Sequence, residues 1–172
     1  GCHGGETWRY VEKVLMLDRQ GEKRLRGPED FAVGYRHAGL KSATDEVFAA
    51  AWFRFPPGDA GAAQARMKEL LERRVATQPL TLPNAGSVFR NPPGDHAARL
   101  IEAAGLKGTQ IDGAQVSEKH SNFIVNPDGA ASASAIEMLI GRIQAAVREK
   151  FGISLVREVR IVGVAGQGGE RS

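Results

Sequence analysis

The chain has 172 residues, 42% hydrophobic and 25% charged, with 23 Lys and Arg against 20 Asp and Glu for a net charge of +3. That length fits one ordinary domain or two small ones and can bury a core, and the composition excludes a disordered chain. The basic residues are interleaved with acids, which argues against a nucleic-acid partner, and the longest apolar run, VFAAAWF at residues 47–53, is far too short to span a membrane. The single cysteine, Cys2, allows no intramolecular disulfide and fits a reducing, cytoplasmic setting. The opening, GCHGGE, reads like the middle of a longer sequence.

Residues 10–18 (YVEKVLMLD) predict a strand, and a turn at residues 19–21 returns residues 22–25 as the second arm of a hairpin. Pro28-Glu29-Asp30 opens a short helical turn, and residues 46–55 (EVFAAAWFRF) predict another strand, stopped by Pro56-Pro57-Gly58. Asp59 then caps a helix whose apolar positions, Ala63, Met67, Leu70, Leu71 and Val75, recur at helical spacing.

From Gln78 the texture changes to prolines and glycines, which marks a domain entry. Asp95 is placed to cap a helix reaching Ala104 and closed by Gly105. Strands are expected near residues 109–116 and 122–125, with a turn at Pro127-Asp128-Gly129. Ser134 and Glu137 have capping-box spacing before a helix carrying Ile136, Leu139, Ile140, Ile143, Val147 and Phe151 on one face, ended by Gly152. An extended piece at residues 154–164 precedes a tail expected to be mobile. Strands and helices mixed without regular alternation give an α+β class.

Generic motifs supply little chemistry. The chain has no phosphate loop and no GxGxxG before a helix, and Cys2, His3, His37, His96 and His120 show no metal-ligand spacing. Longer strings say more: Tyr35-Arg36-His37, NAGSVFRNP at 84–92, GAQVSEKHSNFIVN at 113–126 and REVRIVG at 157–163. In this order, together with GCHGGE at the start, they resemble the C-terminal part of the UDP-N-acetylenolpyruvoylglucosamine reductases, flavoenzymes of peptidoglycan precursor synthesis. The short path from Arg36 to Gln78 resembles the family's shorter, type II subclass.

The resemblance implies an architecture. Residues 1–77 would be the latter part of an FAD-binding unit, residues 78–152 a small α+β substrate-binding domain, and residues 153–172 a strand returning to the flavin plus the tail. The N-terminal part holding most of the FAD would be a missing partner. The implied reaction takes hydride from NADPH through FAD to UDP-N-acetylglucosamine enolpyruvate, giving UDP-N-acetylmuramate. By the family's motifs, Arg36 grips the substrate carboxylate and Glu158, held protonated, is a second donor. Ser87 delivers the proton. Tyr35, Arg74, Asn91 and His120 fall at substrate contacts, and Gly1, Cys2, His3, Gly4 and Arg160 fall beside the flavin. The isolated chain is expected to turn over very slowly, and the rival reading is a UDP-sugar-binding module without redox activity. One departure is Ala38, which follows the Tyr35-Arg36-His37 string where the family commonly has serine.

Overall fold

The computed structural model describes residues 4–42 and 45–163. The chain divides into two compact units, Gly1–Leu70 and Leu71–Ser172. The predicted extended piece is described only up to Gly163, and the tail beyond it lies outside the described residues.

In the first unit, β1 (Val11–Asp18) is the middle of a three-stranded antiparallel sheet, between β2 (Lys23–Arg26) and β5 (Glu46–Phe53). The turn between β1 and β2 is tied by Asp18 Oδ1, which accepts from the backbone N–H groups of Gln20 and Glu22 at 3.0 Å each. A 3-10 turn at Pro28–Asp30 leads into a hairpin absent from the sequence reading, β3 (Phe31–Gly34) and β4 (His37–Leu40). Val14, Met16 and Phe31 make a small core, flanked by Trp8, Val11 and Leu40. The ring of Phe48 stacks on Phe31 at 5.5 Å, which anchors β5 over that core.

The long helix α1 (Ala60–Thr77) forms as its spacing requires, and Asp59 Oδ1 accepts from Ala62 N at 2.6 Å. Its apolar stripe is not buried, however, for Met67, Leu71 and Val75 are all more than half exposed. Helical periodicity reports which residues share a face and leaves open what covers that face.

The second unit has the larger core. Its sheet runs β6-β9-β8-β7, entirely antiparallel: β6 (Asn84–Ser87), β9 (Phe123–Val125), β8 (Ala114–Val116) and β7 (Gln110–Ile111). Two helices, α2 (Ala97–Ala103) and α3 (Ala133–Phe151), pack with it around Phe89, Leu100, Ile101, Val116, Leu139, Ile143 and Val147.

Three local expectations are corrected in this unit. The cap of α3 is Ser132, whose hydroxyl accepts from Ala135 N at 3.1 Å, two residues ahead of the Ser134 capping box. The first turn of α2 is capped by Asn91, whose Oδ1 accepts from Ala97 N at 3.0 Å, while Asp95 accepts from His96 N and pairs with Arg99. The piece after Gly152 makes a single antiparallel bridge, Arg157 with Phe89, in place of a full strand. Among the described residues no helix is long and apolar enough to cross a membrane.

Candidate functional site

The NAGS string folds as a kinked strand. Asn84 Nδ2 donates to the carbonyls of Leu82 at 2.7 Å and Pro79 at 3.1 Å, and its Oδ1 accepts from Gly86 N at 2.9 Å. Pairing with β9 shifts register between Asn84 and Ser87, and Gly86 sits there with φ of 80°. Among the described residues beyond its chain neighbours, none has an atom within 4 Å of where a Gly86 Cβ would stand, so the glycine answers the backbone conformation and not the space. The kink sets the half-buried Ser87 at the end of the strand, opposite Phe123. Gly86→Ala is expected to cost about 1–2 kcal/mol through its left-handed backbone, read as a lower denaturant midpoint with unchanged slope.

Beyond Ser87 the chain is held from both sides. Val88 O accepts from Glu158 N at 2.8 Å, and Arg90 N donates to Val156 O at 2.9 Å. From the other side, Val88 N donates to Asn122 O at 2.9 Å. Two residues expected to act together, Ser87 and Glu158, are thus brought together in one backbone framework although they are far apart in sequence. Both are half-buried.

Behind this segment is a cavity of about 410 Å³, lined by Ala85, Val88, Ile136, Ile140, Val159 and Arg160 among others. Ser87 and Glu158 are absent from its walls, whereas Val88 and Val159 line it. The exposed Arg160 is therefore placed at this cavity.

Two of the expected substrate contacts, Arg74 and His120, lie on segments joined by a hydrogen bond. Arg74, exposed in the last turn of α1, donates from Nε to Gln78 Oε1 at 3.1 Å. Lys119 Nζ donates to Val75 O at 2.6 Å, so this helix end is tied to the β8–β9 turn that carries His120. Lys119 was not singled out in the sequence. His120 Nδ1 accepts from Asn122 N at 3.3 Å, its ring meets Phe123 edge-on at 4.9 Å, and Ser117 Oγ accepts from His120 N at 3.3 Å. An Nδ1 that accepts leaves the proton of the neutral ring on Nε2, a donor suited to an anionic ligand.

Burial lowers the His120 pKa below the usual 6.5. The folded form then binds its proton less readily than the unfolded chain. Stability contributed by neutral His120 is present above pH 6.5 and is lost as pH falls through the lower folded value. An NMR titration is expected to place the His120 midpoint below 6.5, and His120→Gln is expected to flatten that part of the stability profile.

Asn91 is exposed, and its Oδ1 makes the cap on α2. In the first unit, Tyr35 and Arg36 are the two turn residues of the β3–β4 hairpin, both exposed. Arg36 takes φ of 56°, unusual for a residue with a side chain, and its guanidinium lies 5.8 Å from the centre of the Tyr35 ring. Gly4 is exposed with φ of 78°, and among the described residues beyond its chain neighbours none has an atom within 4 Å of its Cβ position. Gly1, Cys2 and His3, also expected at the flavin, lie outside the described residues.

Residues 78–162 match the model of the UDP-N-acetylenolpyruvoylglucosamine reductase C-terminal domain. A curated UDP-N-acetylenolpyruvoylglucosamine reductase of Thiobacillus denitrificans is 55% identical over 163 residues, covering 95% of this chain and 50% of its own length. That of Alkalilimnicola ehrlichii is 56% identical over 165 residues, with 96% and 54% covered. The crystal structure of UDP-N-acetylenolpyruvylglucosamine reductase (MurB) from Thermus caldophilus superposes with a TM-score of 0.77 at 31% identity, covering 93% of this chain and 56% of that one. The chain spans about half the length of the curated relatives it matches. Sequence and structure agree, and the chain belongs to the UDP-N-acetylenolpyruvoylglucosamine reductase family.

Proposed function

We propose that the chain is the substrate-binding and proton-delivering part of an FAD-dependent reductase that converts UDP-N-acetylglucosamine enolpyruvate to UDP-N-acetylmuramate, with NADPH as the hydride source. In this reading residues 78–152 are the substrate domain, residues 1–77 belong with the FAD unit, and residues 153–172 return to it. The observation that carries it is the juxtaposition of Ser87 and Glu158 through the Val88 carbonyl.

Of the residues assigned to the flavin, Gly4 fits: its open, left-handed turn lets a flat ring approach the backbone. Arg160 adds a cation. The remaining FAD contacts we assign to the N-terminal half of the full-length relatives. Bound FAD, once reduced, would supply a hydride for C3 of the enolpyruvyl ether.

Addition at C3 leaves negative charge at C2, spread into the adjacent carboxylate. In this reading Arg36 grips that carboxylate, since a guanidinium is permanently cationic and can offer two parallel donors. Glu158 is assigned as the second hydrogen-bond donor to the developing charge. Ser87 hands its hydroxyl proton to C2, a downhill step because a carbanion next to a carboxylate is a far stronger base than an alkoxide. Arg74, Tyr35, the Asn91 amide and the His120 Nε2–H hold the uridine diphosphate sugar. The cytoplasm, where reduced nicotinamide is available, is the setting this chemistry requires.

Saturation-transfer NMR with the enolpyruvyl substrate tests the reading. Transfer to both the uridine and the enolpyruvyl methylene protons is expected. Transfer confined to the uridine would select a sugar-nucleotide-binding module with no part in the chemistry.

A further inference from the structure

One buried side chain near the Ser87–Glu158 pair has no place in the chemistry so far. Asn122 is 4% exposed and spends both halves of its amide on one residue: Oδ1 accepts from Phe89 N at 3.0 Å, and Nδ2 donates to Phe89 O at 2.8 Å. Its own carbonyl accepts from Val88 N. The β6–β9 ladder ends at the Ser87–Phe123 pair, and Asn122 continues it by one step, its amide imitating the peptide a longer strand would offer. The opposite edge of the same segment is bridged to residues 156–158, with Val88 O on Glu158 N.

We infer that Asn122 is a positioning residue that fixes the Val88–Phe89 backbone and thereby the spacing of the Ser87 hydroxyl and the Glu158 carboxyl; this rests on the function proposed above. An apolar residue can fill the same volume but cannot bind Phe89 N–H and C=O together, so the segment loses its fixed orientation. The part of the ligand that feels the change is the enolpyruvyl group, and the uridine diphosphate sugar is held by other residues.

The test compares two ligands by calorimetry, UDP-N-acetylglucosamine enolpyruvate and UDP-N-acetylglucosamine, on the wild-type chain, Asn122→Ala and Asn122→Leu. The wild type is expected to prefer the enolpyruvyl ligand. Both variants are expected to keep their affinity for the plain sugar nucleotide within about twofold and to lose about tenfold of the preference. A purely structural role would weaken both ligands alike. Asn122→Ala leaves room for a water between the Phe89 groups, so it supplies the measurement where Asn122→Leu fails to fold.

Amide NMR adds a reading that needs no ligand. The Ser87 and Glu158 signals are expected to move together in Asn122→Ala while that of Ile143, in the α3 core, stays. Variants that retain the wild-type preference, or unmoved Ser87 and Glu158 signals, overturn the inference and leave the proposed function standing. A wild-type chain without any preference overturns the function and the inference with it.

Discussion

Ile143→Ala is expected to cost the second unit about 2–5 kcal/mol. Ile143 is fully buried on α3 within the cluster that also holds Leu139, Val147, Leu100 and Val116. Truncation removes transfer energy and leaves a void that the neighbours fill only in part, because interiors are packed near crystal density. For a domain of this size such a loss lowers the midpoint of thermal unfolding by at least about 8 °C. Met67→Ala on α1 is the contrasting change: Met67 is 58% exposed, and its truncation is expected to cost under about 0.5 kcal/mol. Equal costs at the two positions would contradict the placement of the core.

Arg74→Ala is expected to weaken binding of UDP-N-acetylglucosamine enolpyruvate about ten- to hundredfold. Hydrogen bonds to charged groups contribute about 1.5–3 kcal/mol, and about 1.4 kcal/mol is a factor of ten. Arg74 is in the last turn of a helix whose end Lys119 holds through Val75 O, so its base is fixed while its guanidinium remains exposed. Arg73, the preceding residue of α1, is the control. It carries the same charge on another face of the helix, and Arg73→Ala is expected to change affinity less than about threefold at 0.15 M salt, where long-range attraction is screened. A comparable loss in both variants would mean diffuse electrostatic attraction instead of a defined contact.

Much of the fold was legible because local pattern and final structure agree. The strands β1, β2 and β5 and the helices α1 and α3 follow from period and punctuation, and Gly152 ends α3 in the left-handed conformation that its residue type suggests. The β3–β4 hairpin was not legible, since its turn is Tyr35-Arg36 and the left-handed residue is an arginine, where the familiar signals are glycine or asparagine. Asn91 as the cap of α2 was hidden for a related reason: it acts from six residues away, outside the window in which capping is read.

The candidate site divides in the same way. Its family strings identified the chain, and the NAGS string carried a local cue, an asparagine two residues before a glycine at a strand. No sequence rule linked Ser87 with Glu158, because what joins them is a carbonyl, that of Val88, and backbone groups are the same at every residue. Asn122 was equally silent. The sequence reading puts it at the start of the strand expected at residues 122–125, and only the structure brings both ends of its amide onto Phe89.

The proposed function requires this chain to bind UDP-N-acetylglucosamine enolpyruvate. Its most direct test is calorimetric titration of the wild-type chain with UDP-N-acetylglucosamine enolpyruvate. Saturable one-to-one binding is expected. No heat and no saturation from a chain shown by circular dichroism to be folded would contradict it.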